Sequence, residues 1–506
     1  MKKLLCIIIA VIISVCPVIS GAKSKSILNT KFISIDENGA DGYNGDLILA
    51  YNNADITAVA KSLEAIPDLP EIQDYNYDDY DETLSSKAKS YKIGDVATFH
   101  TMYGSDEKPN DYGKTIFKLV GIGKHCYMWI PTKYKLGFNI DNEFADNFCK
   151  EFDNNYDTIV AKFGTPVFPN NTDKVFILAY DVNYDGVGGV FYSGDYNYDK
   201  IAAVHVDTFT FGETREFFDM SSCLVHEFVH LINYCNANWN MPTWLNECLA
   251  MQGAELAYPE SEVFQRALEW NTPEISEPIL SGKSMFDWDS KNVDIAPLYS
   301  PCFFFGQYLK TQAGTYNIFR RIIYYYEWLK KDNKTVTNKM KTAEDAIKYG
   351  LKNTPLEGKS LIELNKLYRI AMSTAFLGVD CGLYSFRGEE KFKQIDPMIS
   401  YDMTNVSVGG AITIVNNNNG AFFPPKNAQK NVSYVGISFL DYIVYGDTDA
   451  NGQIDSSDAT KILRHVASLE QIVGAYLVAA DANKDGTVDS SDATKILRVV
   501  AKLDTL

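Results

Sequence analysis

The run His226-Glu227-Phe228-Val229-His230 constrains this chain more than any other stretch. Residues four apart share one face of an α-helix, so a helix here aims two imidazoles at a common point. Leu224, Val225, Phe228, Val229 and Ile232 supply its apolar side, and the spacing predicts a helix over residues 220–236. A second helix is predicted from Pro242-Thr243 onward and carries Trp244-Leu245-Asn246-Glu247. His226, His230 and Glu247 then form three ligands of the kind that hold one zinc ion, with a fourth position left to water. Three protein ligands and an open position make a catalytic site rather than a structural one. Zinc polarises a carbonyl and acidifies the water it binds. Glu227, beside the ligands, is the expected general base, taking the water's proton and passing it to a leaving amine. The oxyanion that develops needs a further hydrogen-bond donor. His465 is the only histidine after residue 250, so a tyrosine is the natural candidate.

The chain has 506 residues, too many for one hydrophobic core, so several domains are expected. A net charge of −18 and a pI of about 4.9 argue against nucleic acid or an anionic membrane surface as partner, since both repel an acidic protein. Residues 1–22 read as a secretory signal: Lys2 and Lys3, an apolar stretch from Leu4 to Val18, and a small-residue cleavage site at Ser20-Gly21-Ala22. Cleavage after Ala22 predicts a secreted, extracellular protein with no membrane span. It also leaves Cys126, Cys149, Cys223, Cys235, Cys248, Cys302 and Cys381, an odd number without regular spacing, which reads as small buried residues rather than a disulfide framework.

Residues 23–90 give weak signals, and the acidic Asp74–Asp81 run reads as a linker or an exposed propeptide joint. Alternating runs in 91–134 predict a small β domain. Residues 135–380 are expected to form the zinc-binding domain, with a helix over 143–163, strands at 175–180 and 201–206, and helices at 260–270, 299–312, 315–330, 342–350 and 361–375. Residues 381–440 return to strand and turn signals and predict a second small β module. His205 and Asp207 lie on the strand before the metal helix, where a hydrogen-bonded strand histidine is the favoured reading. Asp181, Asn183 and Asp185 begin like a calcium loop, but Gly189 and Tyr192 stand where closing ligands belong, so a glycine-rich hairpin is expected.

Residues 441–506 contain an internal repeat: Ser456-Ser-Asp-Ala-Thr-Lys-Ile-Leu-Arg464 recurs unchanged as Ser490 to Arg498. Asp447, Asp449, Asn451, Asp455 and Asp458 occupy positions 1, 3, 5, 9 and 12 of a calcium loop, with Gly452 at the turn. Asp481, Asn483, Asp485, Asp489 and Asp492 repeat the pattern around Gly486. Gln453 and Thr487 would add backbone carbonyls, giving two calcium ions in all. The last ligand is Asp rather than the usual Glu, and each loop is followed by one helix with no matching helix before it.

The segment Val225-His-Glu-Phe-Val-His-Leu-Ile-Asn-Tyr234, followed by Trp244-Leu-Asn-Glu-Cys-Leu-Ala250, resembles the gluzincins, and within them the hyicolysin-type secreted bacterial metallopeptidases. The strand running into Asp181-Val-Asn-Tyr-Asp-Gly-Val-Gly-Gly189 is similar to that family too. The likeness implies an α+β multidomain chain: a gluzincin-like zinc peptidase domain with flanking small β modules. Tyr299-Ser-Pro-Cys-Phe-Phe-Phe-Gly-Gln-Tyr-Leu309 resembles the helix that carries the catalytic tyrosine of zinc aminopeptidases, which makes Tyr299 the implied oxyanion donor. Their substrate-amine motif is not matched, so an endopeptidase is implied. A clan-typical carboxylate four residues after the third ligand is replaced by Met251, leaving Asn233, Asn246 or Glu255 to orient the ligands.

The twin loops resemble a type I dockerin, an all-α calcium-binding module that plugs enzymes into cohesin modules of a scaffoldin. In that family, loop positions 10 and 11 help set partner choice. Here they are Ser456, Ser457, Ser490 and Ser491, and the near-identity of the halves implies docking in either of two orientations. The resemblances together imply a secreted zinc endopeptidase of a cellulosome-like complex, acting on protein or peptide. The alternatives are a non-catalytic zincin-like binding subunit and a glycan-degrading component.

Overall fold

The computed structural model describes residues 28–29, 33–57, 90–101, 114–133, 136–169, 172–182, 187–209, 217–259, 262–272, 277–288, 296–395, 397–400, 406–416, 421–439, 444–448, 453–470, 472, 475–485 and 487–506. The expected signal segment lies outside them, as do Asn183, Asp185, Asp449, Asn451, Gly452 and Gly486.

Strands β1 (Leu28–Asn29), β2 (Ile33–Asp36) and β3 (Leu47–Asn52) open the chain. They are followed by β4 (Val96–His100), β5 (Lys114–Ile122) and β6 (Cys126–Pro131), then helix α1 (Asn142–Phe163). Next come β7 (Val175–Tyr180), β8 (Gly189–Val190), a π-helical turn at Asp195–Asp199 and β9 (Ala203–Asp207). Helices α2 (Phe217–Ala237) and α3 (Thr243–Ala257) lead into α4 (Glu262–Trp270), α5 (Glu277–Leu280), α6 (Ala296–Ala313), α7 (Asn317–Lys331), α8 (Lys339–Gly350) and α9 (Leu361–Thr374). Strands β10 (Ala411–Val415) and β11 (Val432–Phe439) precede the terminal helices α10 (Ser456–Val466), α11 (Ala475–Ala480) and α12 (Ser490–Val500).

Strands β4 to β9 form one sheet in the order β4-β5-β6-β7-β9-β8, with β6, β7 and β9 parallel and the others antiparallel. The expected small β domain at 91–134 is therefore not separate, because β6 pairs directly with β7 of the zinc-binding region. Alternation along the strands serves two cores. Met128, Ile177 and Val204 face α1 and α2, while Trp129, Phe176 and Leu178 face a layer with Phe99 and Tyr91. Every residue of β7 is buried, as expected of a strand covered on both faces. Helix α1 lies so close to the sheet that a Cβ on Gly121 would come within 2.9 Å of Ala145 O. A bulge between Leu119 and Gly121 falls at the same place.

The second sheet has the order β1-β2-β11-β3-β10, all antiparallel. This corrects the expected boundaries at both ends. Within the weakly signalled residues 23–90, Leu28–Asn29, Ile33–Asp36 and Leu47–Asn52 are strands of the sheet completed by Ala411–Val415 and Val432–Phe439, while the Asp74–Asp81 run lies outside the described residues. Lys366 of α9 meets Glu37 at 2.9 Å and Asn365 donates to Gly409 O, tying this sheet to the helices. The sheet also shares an apolar cluster with the terminal helices, and Tyr445 donates to Asp46 Oδ1 at 2.9 Å. Among the described residues no helix is long and apolar enough to cross a membrane.

Candidate metal centre

Helix α2 is buried along nearly its whole length, with Phe228 packed on Phe152 and Tyr156 of α1 at 5.1 and 5.3 Å between ring centroids. That packing fixes its rotation and leaves His226 and His230 facing α3. His226 Nε2 and His230 Nε2 stand 3.0 Å apart, and Glu247 Oε2 lies 3.3 Å from the first and 3.4 Å from the second. Three ligand atoms each ~2.0–2.1 Å from a tetrahedral zinc would stand ~3.3 Å from one another, so the set fits the ion. Among the described residues this is the group of three or more His, Cys, Asp or Glu whose ligand atoms converge within 4.8 Å.

The ligands are electrostatically matched. Burial lowers the pKa of His230, but the Glu247 and Glu227 carboxylates push it up to about 9. Burial raises that of Glu247, but the two imidazoles hold it well below the usual carboxylate range. Glu227 is buried on the same helix, and Gly189 of the edge strand β8 lies against it: a Cβ there would meet Glu227 Cγ at 3.0 Å and Cys223 Sγ at 2.9 Å. Only glycine lets that strand pass so near the carboxylate.

Tyr299 sits in the first turns of α6, half-buried, with Trp288 and Trp270 against its ring at 4.8 and 5.5 Å. Its hydroxyl is held protonated, well above the usual phenol range, first by the charge of Glu247, then by burial, then by Glu227. The structure thus brings Tyr299 into the field of both site carboxylates. Neither tryptophan was visible in the sequence pattern, because the segments that carry them have no motif.

The three candidates for orienting the ligands fall in two places. Asn233 of α2 donates to Asn246 Oδ1 of α3 at 2.8 Å, between the two ligand helices. Glu255 is two turns further along α3, buried, and paired with Lys391 at 2.8 Å. His205 is fully buried between Asp195 Oδ2 at 2.6 Å and Tyr180 Oη at 2.8 Å, and Asp207 accepts from Val182 N at 2.7 Å. The hydrogen-bonded reading holds for both. Asp195, on the π-helical turn, escaped the sequence reading. Of the seven cysteines, six are buried and Cys223 is partly exposed.

In the terminal repeat, Asp455 and Asp489 cap α10 and α12, accepting from Ser457 N and Ser491 N at 2.6 Å. Asp458 is buried and accepts from Thr448 N and Asp455 N; Asp492 is buried and accepts from Asn483 N and Asp489 N. The final aspartate of each loop thus folds back over its start. Asp485 N donates to Asp481 Oδ1 and Thr487 N to Asp485 Oδ1. Asp447 is buried at the start of the first loop, and Gln453 is exposed. The donor set is rich in carboxylates and fits a hard cation. Ser456, Ser457, Ser490 and Ser491 are exposed at the helix starts.

Residues 445–500 match the model of the dockerin type I domain. Over 258 residues the chain is 30% identical to the neutral metalloprotease ShpI of Staphylococcus hyicus, covering 46% of this chain and 55% of that protein. The chain pairs a type I dockerin domain with a segment similar to a neutral metalloprotease. It spans about half the length of that curated relative. A structure of yeast LTA4 hydrolase in complex with bestatin aligns with 57% of this chain and 50% of its own at 11% identity, with a TM-score of 0.31, too low to carry an argument.

Proposed function

We propose that this dockerin-bearing chain is a secreted zinc endopeptidase with a gluzincin-like peptidase domain. The observation that carries the reading is the convergence of His226 Nε2, His230 Nε2 and Glu247 Oε2 within 3.0–3.4 Å beside the buried Glu227. Zinc held by these three residues supplies a Lewis acid for the scissile carbonyl. Glu227 takes the proton of the attacking water and delivers it to the leaving amine. Tyr299 donates a hydrogen bond to the carbonyl oxygen as negative charge grows there. Strand β8, at the edge of its sheet among the described residues, lies beside Glu227, and such an edge suits an extended polypeptide better than a branched glycan.

The dockerin domain supports attachment to a cohesin-bearing scaffoldin of a cellulosome-like complex, with two calcium ions holding the loops. Leu463, Val466 and Leu469 are exposed, and so are Leu497, Val500 and Leu503 at the matching places of the second half. Two equivalent apolar surfaces, each next to a Ser-Ser pair, support docking in two orientations.

The test is digestion of an unfolded protein whose α-amino group is blocked. An endopeptidase releases internal fragments from it; an aminopeptidase leaves it whole. Intact substrate beside stoichiometric zinc would overturn the endopeptidase reading, and if the unblocked protein also stays whole the non-catalytic binding subunit is favoured.

A further inference from the structure

Arg369 lies in the middle of α9, at the junction of the helices with the five-stranded sheet. Its Nε and Nη2 have no solvent contact and no hydrogen-bond partner among the described residues. The hydroxyl of its neighbour Tyr368 is likewise buried without a partner, its ring fixed against Phe305 at 5.6 Å. Both residues line a cavity walled by Thr413 of β10 on one side and by Asn271 and Pro301 on the other. No carboxylate lines it among the described residues. Ser373, also in the wall, is occupied: its hydroxyl donates to Arg369 O at 3.0 Å and lies 3.1 Å from Thr413 Oγ1.

A guanidinium does not give up its proton at any ordinary pH. Burial pulls the pKa of Arg369 down, and among the described residues no carboxylate lines the cavity to offset the charge. The residue as a whole is partly exposed and its guanidinium lies 5.5 Å from the centre of the Tyr368 ring, but the two nitrogens sealed from solvent are costly to leave without an acceptor. The unpartnered groups are two N–H donors and a hydroxyl. Donors around a positive charge suit an anion better than water, which also seeks acceptors. The space open to the centre of a water-sized particle is about 30 Å³, above the ~10–15 Å³ that one water needs. That is room for a small anion.

We propose that the cavity between α9, α6 and the five-stranded sheet is a binding site for a small inorganic anion of the halide class, held by Arg369 and Tyr368. The anion neutralises the guanidinium and stabilises the junction at which residues 33–52 and 411–439 meet the helices. Pro301 lies two residues beyond Tyr299 on α6, so the bound anion also buttresses the wall that carries Tyr299. The site is independent of the metal centre and stands whether or not the chain is a peptidase.

The test is thermal unfolding of the full chain, zinc and calcium bound, at constant ionic strength in sodium chloride, bromide or gluconate. Gluconate, a six-carbon hydroxy acid, is too large for the cavity. The expected result is a higher Tm in chloride and bromide by on the order of 2–4 °C, and no difference in Arg369→Met. Equal Tm values in all three salts, or a halide effect that survives the substitution, would overturn the proposal. Should Arg369→Met fail to fold, bromide-soaked crystals of the unaltered protein decide. An anomalous peak beside Arg369 Nε and Nη2 supports the site; an empty cavity, or a carboxylate of the chain itself against Arg369, rejects it.

Discussion

The side chain of Asn233 donates to Asn246 Oδ1 at 2.8 Å and so ties the helix of the two histidines to the helix of Glu247. Asn246 directly precedes Glu247 on α3, so this contact bears on where that carboxylate stands. Asn246→Ala should weaken zinc binding by ~10–100-fold without unfolding the protein, the size expected for a residue that orients a ligand. Competition with a chelator of known affinity measures it. Unchanged affinity would mean that the amide pair only packs.

Glu247→Ala should abolish stoichiometric zinc, because two imidazoles on one helix then lack the carboxylate that completes the set. Metal content after dialysis is the readout. The metal-free protein should also show the pairing through pH. His230 titrates at about 9 rather than its ordinary 6.5, so its interaction stabilises the fold fully below 6.5 and is lost as the pH rises towards 9. In Glu247→Ala that window should narrow, because burial lowers the pKa of His230 and Glu227 is the carboxylate left to raise it.

Tyr299→Phe should lower kcat by ~10²–10³-fold while zinc content and KM stay near their original values. The ring remains between Trp270 and Trp288, so packing is retained and only the donor is lost. A fully active variant would remove Tyr299 from the mechanism.

Calcium removal should unfold the dockerin domain and leave the zinc-binding region folded. Without the ion, the carboxylates of each loop face one another with nothing to bind them, and α10 and α12 lose the loops that cap them. Hydrogen exchange with chelator present should show lost protection in 445–500 and little change in α2 and α3. Unchanged protection in the terminal repeat would contradict the assignment of its ligands.

The convergence of His226 and His230 and the terminal repeat were legible because each is written in local spacing: two histidines one turn apart, and acidic residues repeated at fixed intervals. The long helices were legible for the same reason, and α9 follows its 361–375 expectation to within a residue. The sheets were not. Leu49 pairs with Thr413 and with Val435, and no local pattern announces a partner that far along the chain. The same blindness hid Asp195 and Trp288, whose roles come from what the fold brings beside them. Asn246 could be singled out only once α2 and α3 were seen side by side.

The most direct test of the central claim compares the full-length protein with Glu227→Gln on an unfolded protein substrate, each with zinc content measured. The account predicts that Glu227→Gln binds zinc in full and cleaves at least ~10²-fold more slowly, with the remaining activity of the original protein lost on zinc chelation. Equal cleavage by the two proteins, or cleavage that survives complete removal of zinc, would contradict it.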